Sequence, residues 1–401
     1  MQYLDTIDTC LSNPNEKIQQ SAVNALNQLT THYFPVNPIT KKPTDRLQKR
    51  VVFKYIHIVQ TEDNAAMTRG FALALGYLPY KLLVPSEEVL ESITSCLCHS
   101  SDKQSTVGGE GDAETRRNSI ISLQRICQTI IIHQNGTATI NAPENSNLMS
   151  PKILPLIFTT LLSSMEDYNT DRRGDVGSWS RIAAMTALKE IMKTIHDSNK
   201  VKQIIISQEL YNQIIGSFLK QLSEKLDNVR SHAGSCIQEI MMNLSGDNNN
   251  GIMISPQHEY ICESIMIVQE EEEQKIQVDK QAQEDDELVG QRKSKNTIDW
   301  SNASITFPFL IQILKQNYFL KDIISGFVIS IGGLTQNVVV HATSSFLEWI
   351  RCLEEEEDEA VLKQIMQGML LFFFLLMCFL TFNTIFKHLS TYSKTIQKII
   401  V

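Results

Sequence analysis

Apolar side chains return every three or four residues along most of this 401-residue chain. They do so in paired segments, and that pattern most narrows what the chain can fold into. Ile153, Leu154, Ile157, Phe158, Leu161 and Leu162 form one stripe, and Ala184, Leu188, Ile191 and Ile195 form the stripe that follows it. Leu210, Ile214, Phe218 and Leu222 stand in the same relation to Ala233, Ile237, Ile240 and Leu244. At the start, Ile7 and Leu11 end one short helix, Asn13-Pro14 turns the chain, and Ala22, Leu26, Leu29 and Tyr33 stripe the next. The second helices of the pairs fall near Ala22, Phe71, Ile120, Ala184, Ala233 and Phe346, roughly 45 to 65 residues apart with one longer interval. No alternating strand pattern competes. A helix pair of this kind buries its apolar stripe only against a neighbouring pair, so the expected fold is all-α: a HEAT/armadillo-like α-solenoid, a superhelix of antiparallel helix pairs.

Composition fits that expectation. Hydrophobic residues make up 42% of the chain, enough for a large core, and the formal charge of −9 gives no electrostatic reason to expect nucleic-acid binding. The eight cysteines are scattered, several at core-like helical positions such as Cys127 and Cys236, which suits a reduced compartment better than a disulfide framework. Cys96, Cys98 and His99 are a close cluster without a second ligand pair downstream, so buried thiols on an ordinary helix account for them better than a metal site. The amino terminus lacks a basic segment followed by a continuous apolar one, which favours a cytosolic chain over a secreted one. No nucleophile elbow, zinc-binding helix or phosphate loop is present, so no catalytic, metal or cofactor-binding residue is assigned and the chain is read as a binding protein rather than an enzyme. His232 and His341 each begin an apolar helical face and are read as hydrogen-bonded helix residues.

Three inserts interrupt the repeats. Residues 101–114 are rich in small residues and are read as a mobile insert, and Ser245 to Gln257 reads as a polar loop. The third runs from Gln269 to Lys295 with Glu270 to Glu273, Glu284 to Glu287 and then Arg292, Lys293 and Lys295. A solvated or partly helical charged linker is one reading of it, and an acidic contact for a basic partner surface is the other. The expected organisation is therefore HEAT-like repeats over 1–100, the mobile insert at 101–114, repeats over 115–268, the charged linker at 269–295, repeats over 296–353, and an acidic run with an apolar tail over 354–401.

The segment MEDYNTDRRGDVGSWSRIAAMTAL, from Met165 to Leu188, joins a charged loop to a helix. Gly174 and Gly177 permit positive φ or close backbone approach, and Ser178 is a candidate N-cap. Asp171 and Asp175 are read as salt-bridge partners of Arg172 or Arg173 rather than as a catalytic pair. A loop of this kind presents side chains on one edge of a solenoid, so Asp171, Arg172, Arg173, Asp175 and Trp179 are candidate partner-binding residues. Trp179 either packs inward as an anchor or stands out as a contact. Arg116, Arg117, Lys225 and Arg230 lie near the starts of second helices. They form either a ladder of inter-repeat ion pairs or a basic inner groove for an acidic partner.

The same segment resembles the tubulin-folding cofactor D family of large HEAT-repeat chaperones, which carry a similar D-x-R-G-D-V-G-x-W loop before an Arg-x-Ala-Ala-Met-Thr helix. MTRGFALALGYLP from Met67, ETRRNSIISLQRICQT from Glu114, SEKLDNVRSHAGS from Ser223, DWSNASITFP from Asp299 and GFVISIGGLTQ from Gly326 agree in the family's order, so the likeness spans Met67 to Leu353. The resemblance implies capture of β-tubulin after chaperonin release and its assembly with α-tubulin, together with tubulin-folding cofactors C and E and an Arf-like small GTPase. It also implies stimulation of GTP hydrolysis by tubulin and a cytoplasmic protein associated with the microtubule cytoskeleton. Arg172 and Arg173 are not read as arginine fingers, because the acids beside them neutralise their charge. The chain begins inside the array and the likeness ends near Leu353, so a fragment covering a middle-to-C-terminal part of the family is expected. The alternative is a HEAT-repeat interaction scaffold of another class, a transport or signalling adaptor, tethered to a membrane by its tail.

That tail holds the apolar run Met369 to Phe382, fourteen residues flanked by the acidic Glu354 to Glu359 and by Lys387, His388, Lys394 and Lys398. It is shorter than the roughly 20 residues that cross a bilayer, although Gly368 through Phe386 reaches a marginal length. A buried terminal helix, a membrane-associated tail and sequence foreign to the functional protein are the three readings. A version ending near Leu353 is expected to melt at the same temperature as the whole chain and to be more soluble. Parallel expression and thermal melts check this, with a large loss of melting temperature showing instead that the segment completes the core.

Overall fold

The computed structural model describes residues 2–34, 36–37, 39, 43–102, 104–105, 112–136, 152–198, 206–244, 251–281 and 298–352. They are all-α apart from one two-stranded hairpin and one isolated bridge. Two compact units are present, one made of residues 1–214 with 242–255 and the other of 215–241 with the residues from 256 onward.

In the first unit, α1 (Gln2–Leu11) and α2 (Glu16–His32) form the opening pair, with the Asn15 side chain capping α2 by accepting from the Lys17 amide. A four-residue turn of helix, α3 (Asp45–Gln48), runs through a π-helical turn at Lys49–Phe53 into α4 (Lys54–Thr61). Asn64 then caps α5 (Ala65–Gly76), the short α6 (Tyr80–Leu83) follows, and α7 (Glu87–Ser101) and α8 (Ala113–Gly136) make the next pair. After α9 (Ile153–Ser164) comes the hairpin of β1 (Thr170–Asp171) and β2 (Gly174–Asp175), which leads into α10 (Gly177–Asp197). Packing follows the paired pattern: α1 on α2, α4 on α5, α7 on α8 and α9 on α10. The second helices also pack on each other in chain order, α2 on α5, α5 on α8 and α8 on α10.

Burial explains why these stripes hold. Ala184, Leu188, Ile191 and Ile195 of α10 are all buried, as are Ile120, Leu123, Ile126, Ile130 and Ile131 of α8. Each large aliphatic side chain so placed contributes about 1.5–3 kcal/mol, so a single helix face stabilises its pair by more than any surface contact can. Tyr33 departs from the expected stripe: it follows the last turn of α2 and is 75% exposed. The insert after Leu244 is also more than a polar spacer, since Ile252 bridges Ile206 in parallel and both side chains are buried. The end of the 101–114 insert is ordered by burial too, with Asp112 and Ala113 buried at the start of α8.

The second unit contains the later part of α11 (Gln208–Leu222), most of α12 (Asp227–Asn243), α13 (Gln257–Gln281), α14 (Ala303–Leu314), α15 (Leu320–Ile331) and α16 (Gln336–Cys352). α13 packs on α14, while α14 and α15 both pack on α16. The acidic Glu270 to Glu273 continue α13 as helix, in line with the partly helical reading of that stretch, and residues 282–297 lie outside the described ones. Trp300 is the hub of this unit. Its indole Nε1 donates to Gln238 Oε1 at 3.1 Å, its ring meets Phe309 edge-on, and it occupies the space that a Cβ on Gly234 would need. Among the described residues no helix is long and apolar enough to cross a membrane, and residues 368–386 lie outside them.

One close contact in the first unit fixes the spacing of α5 and α8. A Cβ on Gly76 would overlap Ser122, whose hydroxyl donates to the Ala72 carbonyl at 2.8 Å. Gly76→Ala is therefore expected to destabilise the chain by about 1–3 kcal/mol through overpacking. A fall of several degrees in melting temperature, with a matching shift in the urea midpoint, checks it.

Candidate functional site

The charged loop is a hairpin set on two buried arginines. Thr170 pairs with Asp175 and Asp171 with Gly174, so Arg172 and Arg173 form the two-residue turn. Gly174 has φ of 104°, a conformation that side chains with a Cβ rarely adopt. Below the turn, the Asp167 carboxylate is buried and accepts from Arg116 Nε at 2.9 Å, with both side chains no more than 2% exposed. Its other oxygen accepts from the Asn169 amide at 3.1 Å. The Asp167 carbonyl accepts from Arg181 Nη1 at 2.6 Å, and Arg181 reaches back to both Asp175 oxygens at 3.2 and 3.0 Å while lying over the Tyr168 ring. Gly177 sits against the Asp167 carbonyl so closely that a Cβ there would overlap it.

Asp175 rather than Ser178 caps α10. Its carboxylate accepts from the Ser178 amide at 3.0 Å, while the Ser178 hydroxyl turns back to donate to the Asp175 carbonyl. The helix begins two residues earlier than the Ser178 reading requires, because the Gly177 amide is already tied to the Asn169 carbonyl at 2.9 Å.

The upper face of the hairpin is a second, more exposed charge network. Arg173 holds Asp171 through Nε and Nη2 at 2.9 and 2.7 Å, reaches Glu114 with Nη1 at 2.8 Å and lies 4.9 Å above the Trp179 ring. The guanidinium holds the Asp171 carboxyl below its ordinary range. Burial works against ionisation at Glu114, yet the hydrogen bond from Asp112 and the charges of Arg69 and Arg173 outweigh it and hold its pKa down. Asp112 moves the other way: burial raises it, against the hydrogen bond from Thr115 and the charge of Arg69 at 3.2 Å. Trp179 is half-buried under Arg173. Arg172 is exposed at the tip and has no side-chain partner among the described residues.

The structure thus brings Asp171, Arg173 and Trp179 together at the hairpin face, with Asp175 and Arg116 in its base. Arg117, half-buried, pairs with Glu16 at 2.8 Å and lies apart from the hairpin. Arg230 and Lys225 belong to the second unit. Arg230 is buried and donates to the carbonyls of Glu224 and Ser301 at 2.8 and 2.5 Å and to Asp227 at 2.6 Å. Lys225 is half-exposed beside it. The residues that sequence reasoning passed over are Asp167, Tyr168 and Arg181. The signal for them was the arginine at the fourth or fifth position of successive second helices, at Arg116, Arg181 and Arg230. Among the described residues no group of three or more His, Cys, Asp or Glu side chains is arranged to hold a metal ion.

Removing one partner of a buried ion pair costs about 3–5 kcal/mol, because the other charge stays buried and unpaired. Asp167→Ala is accordingly expected to lower the melting temperature by several degrees or more. Adding Arg116→Met to it is expected to restore part of the loss, since an apolar side chain leaves no orphaned charge, and thermal melts of both variants check the pair.

Comparison with known proteins completes the picture. Residues 212–374 match the family described as tubulin folding cofactor D C terminal. The tubulin-specific chaperone D of Dictyostelium discoideum is 23% identical over 372 residues, covering 87% of this chain and 22% of that protein. The tubulin-folding cofactor D of Schizosaccharomyces pombe is 34% identical over 80 residues, covering 20% of this chain and 7% of that protein. This chain therefore spans about a fifth of the length of the first relative. No solved structure matches it. The family match over residues 212–374 and the first relative, aligned over 87% of this chain, agree: the chain is similar to the tubulin-folding cofactor D family along most of its length.

Proposed function

We propose that this chain acts as a tubulin-folding chaperone segment: it binds β-tubulin and takes part in assembling the α/β heterodimer after chaperonin release. The match of residues 212–374 to the cofactor D family carries this reading. Its action is binding rather than chemistry. Cofactors C and E with α-tubulin, and an Arf-like small GTPase, complete the assembly, and stimulation of GTP hydrolysis by tubulin belongs to that larger complex. The working place is the cytoplasm, with the microtubule cytoskeleton.

The hairpin is the proposed point of contact in the first unit. Arg173, Asp171 and Glu114 hold one another and fix the turn, so Arg172 projects from a rigid base with its charge unspent. Trp179 offers an amphipathic face beside it. Arg117 adds a half-exposed cation in the first unit, and Lys225 adds one in the second. Asp175, Arg116 and Arg230 serve by positioning, since their polar atoms are engaged within the fold.

Purified chain is expected to retain β-tubulin released from chaperonin in a translation reaction. Arg172→Ala is expected to weaken that capture by about five- to thirtyfold, the effect of losing ~1–2 kcal/mol at an exposed contact arginine, with no change in melting temperature. Arg173→Ala is expected to weaken capture too, by freeing the turn, with little change in melting temperature. Failure of the intact chain to capture β-tubulin, where a full-length relative succeeds, would place the activity in parts of the family this chain does not span.

A further inference from the structure

The second helices of the first unit carry a polar seam that the hairpin does not use. On α8, Gln124 Nε2 donates to Gln128 Oε1 at 3.3 Å, and Gln128 Nε2 donates to Thr194 Oγ1 of α10 at 3.3 Å. Thr194 passes its own hydrogen to the Glu190 carbonyl at 2.7 Å. Between them on α8, the guanidinium of Arg125, the residue after Gln124, lies over the Tyr77 ring, 3.6 Å from its centre. The Tyr77 hydroxyl in turn accepts from Gln20 Nε2 of α2 at 2.8 Å. The seam therefore crosses α2, the end of α5, α8 and α10, all half-buried except for the nearly buried Tyr77.

Two features distinguish it from ordinary ties between helices. Gln124 spends one N–H and Gln128 spends one N–H and one acceptor site of its Oε1, so each amide keeps a second N–H to give and a carbonyl site to receive, the complement of a peptide unit. The amides are held in line by their mutual bonds, so little rotamer freedom remains to be lost on binding. The second feature is charge. Arg125 is oriented by stacking alone; no carboxylate is in ion-pair reach among the described residues, and its Nε is buried without an acceptor. Beyond Glu114, α8 has no acidic residue through Gly136, and α5 has none at all, in a chain whose net charge is −9. Lys193 on α10, next to Thr194, is exposed and has no ion-pair partner among the described residues. The floor is rigid, because α5 and α8 meet backbone to backbone at Gly76 and Ser122.

We infer that this seam binds an extended, acidic polypeptide segment of a partner, whose main chain pairs with Gln124 and Gln128 and whose carboxylates meet Arg125 and Lys193. The inference stands on the seam itself and does not require that the partner be tubulin. Peptide binding and β-tubulin capture are therefore read in separate experiments.

The test is fluorescence anisotropy of the full chain with a labelled fifteen-residue peptide of alternating Glu and Gly, against a Lys/Gly peptide and a single-stranded oligonucleotide of equal charge. The acidic peptide is expected to bind, more weakly as salt rises, and the Lys/Gly peptide is expected not to bind. Gln124→Ala with Gln128→Ala is expected to weaken it about tenfold at unchanged melting temperature, and Arg125→Met by tenfold or more. Should Arg125→Met fail to fold, Lys193→Ala together with the glutamine pair carries the decision. No binding of the acidic peptide overturns the inference. So does oligonucleotide binding of equal strength that ignores the glutamine substitutions, which would make the seam a general polyanion surface.

Discussion

The geometry of the first unit around the hairpin turns on Asp167. One buried carboxylate takes Arg116 from the preceding helix pair, while the carbonyl of the same residue takes Arg181 from the helix that follows. Arg116 could not be buried without this carboxylate, since an unpaired guanidinium in an apolar interior is far costlier than the pair, while Arg181 takes its counter-charge from Asp175. The position of one backbone unit is thereby specified from both sides. The direction of the hairpin, the start of α10 at Gly177 and the reach of Arg173 to Glu114 all follow from it.

Much of this was legible in the sequence and some was not, for reasons that differ. The stripe of Ala184, Leu188, Ile191 and Ile195 is local, and helix periodicity alone determines which face is buried. The demand for glycine at 174 and 177 was legible as well, because loop chemistry near a helix start is local. The Arg116 to Asp167 pair joins residues 51 apart, and no periodicity reports a contact at that distance. Asp175 as the helix cap was obscured by Ser178, an equally good cap by type, and only the tie of Gly177 to Asn169 decides between them. Residues 282–297, the later part of the charged linker, and those after Cys352, the acidic run and apolar tail, lie outside the described residues.

Burial sorts the arginines of this chain by task. Arg116, Arg181 and Arg230 are among the largest fully buried side chains and act as internal struts. Arg69, Arg117 and Arg173 are partly exposed and paired, at a depth where an ion pair orients a side chain but contributes little stability. Arg172 and Arg125 have no carboxylate partner among the described residues, and their charge is free to meet another molecule. Residue type alone would have grouped them all as a basic surface.

The Trp300 hub has a consequence for how such a chain tolerates change in length. Arg230 holds the Ser301 carbonyl, Gln238 holds the indole, and the Trp300 carbonyl accepts from Thr306 at 3.0 Å. The chain thus re-enters the second unit at a point defined by α12 and α14, whatever number of residues lies between α13 and Ile298. Closing a longer excursion costs only slowly growing entropy, about 0.6 kcal/mol for each doubling. Segments of very different length can accumulate there without disturbing the register of the helices on either side, and a repeat protein built this way can diversify between its anchors while its framework stays in place.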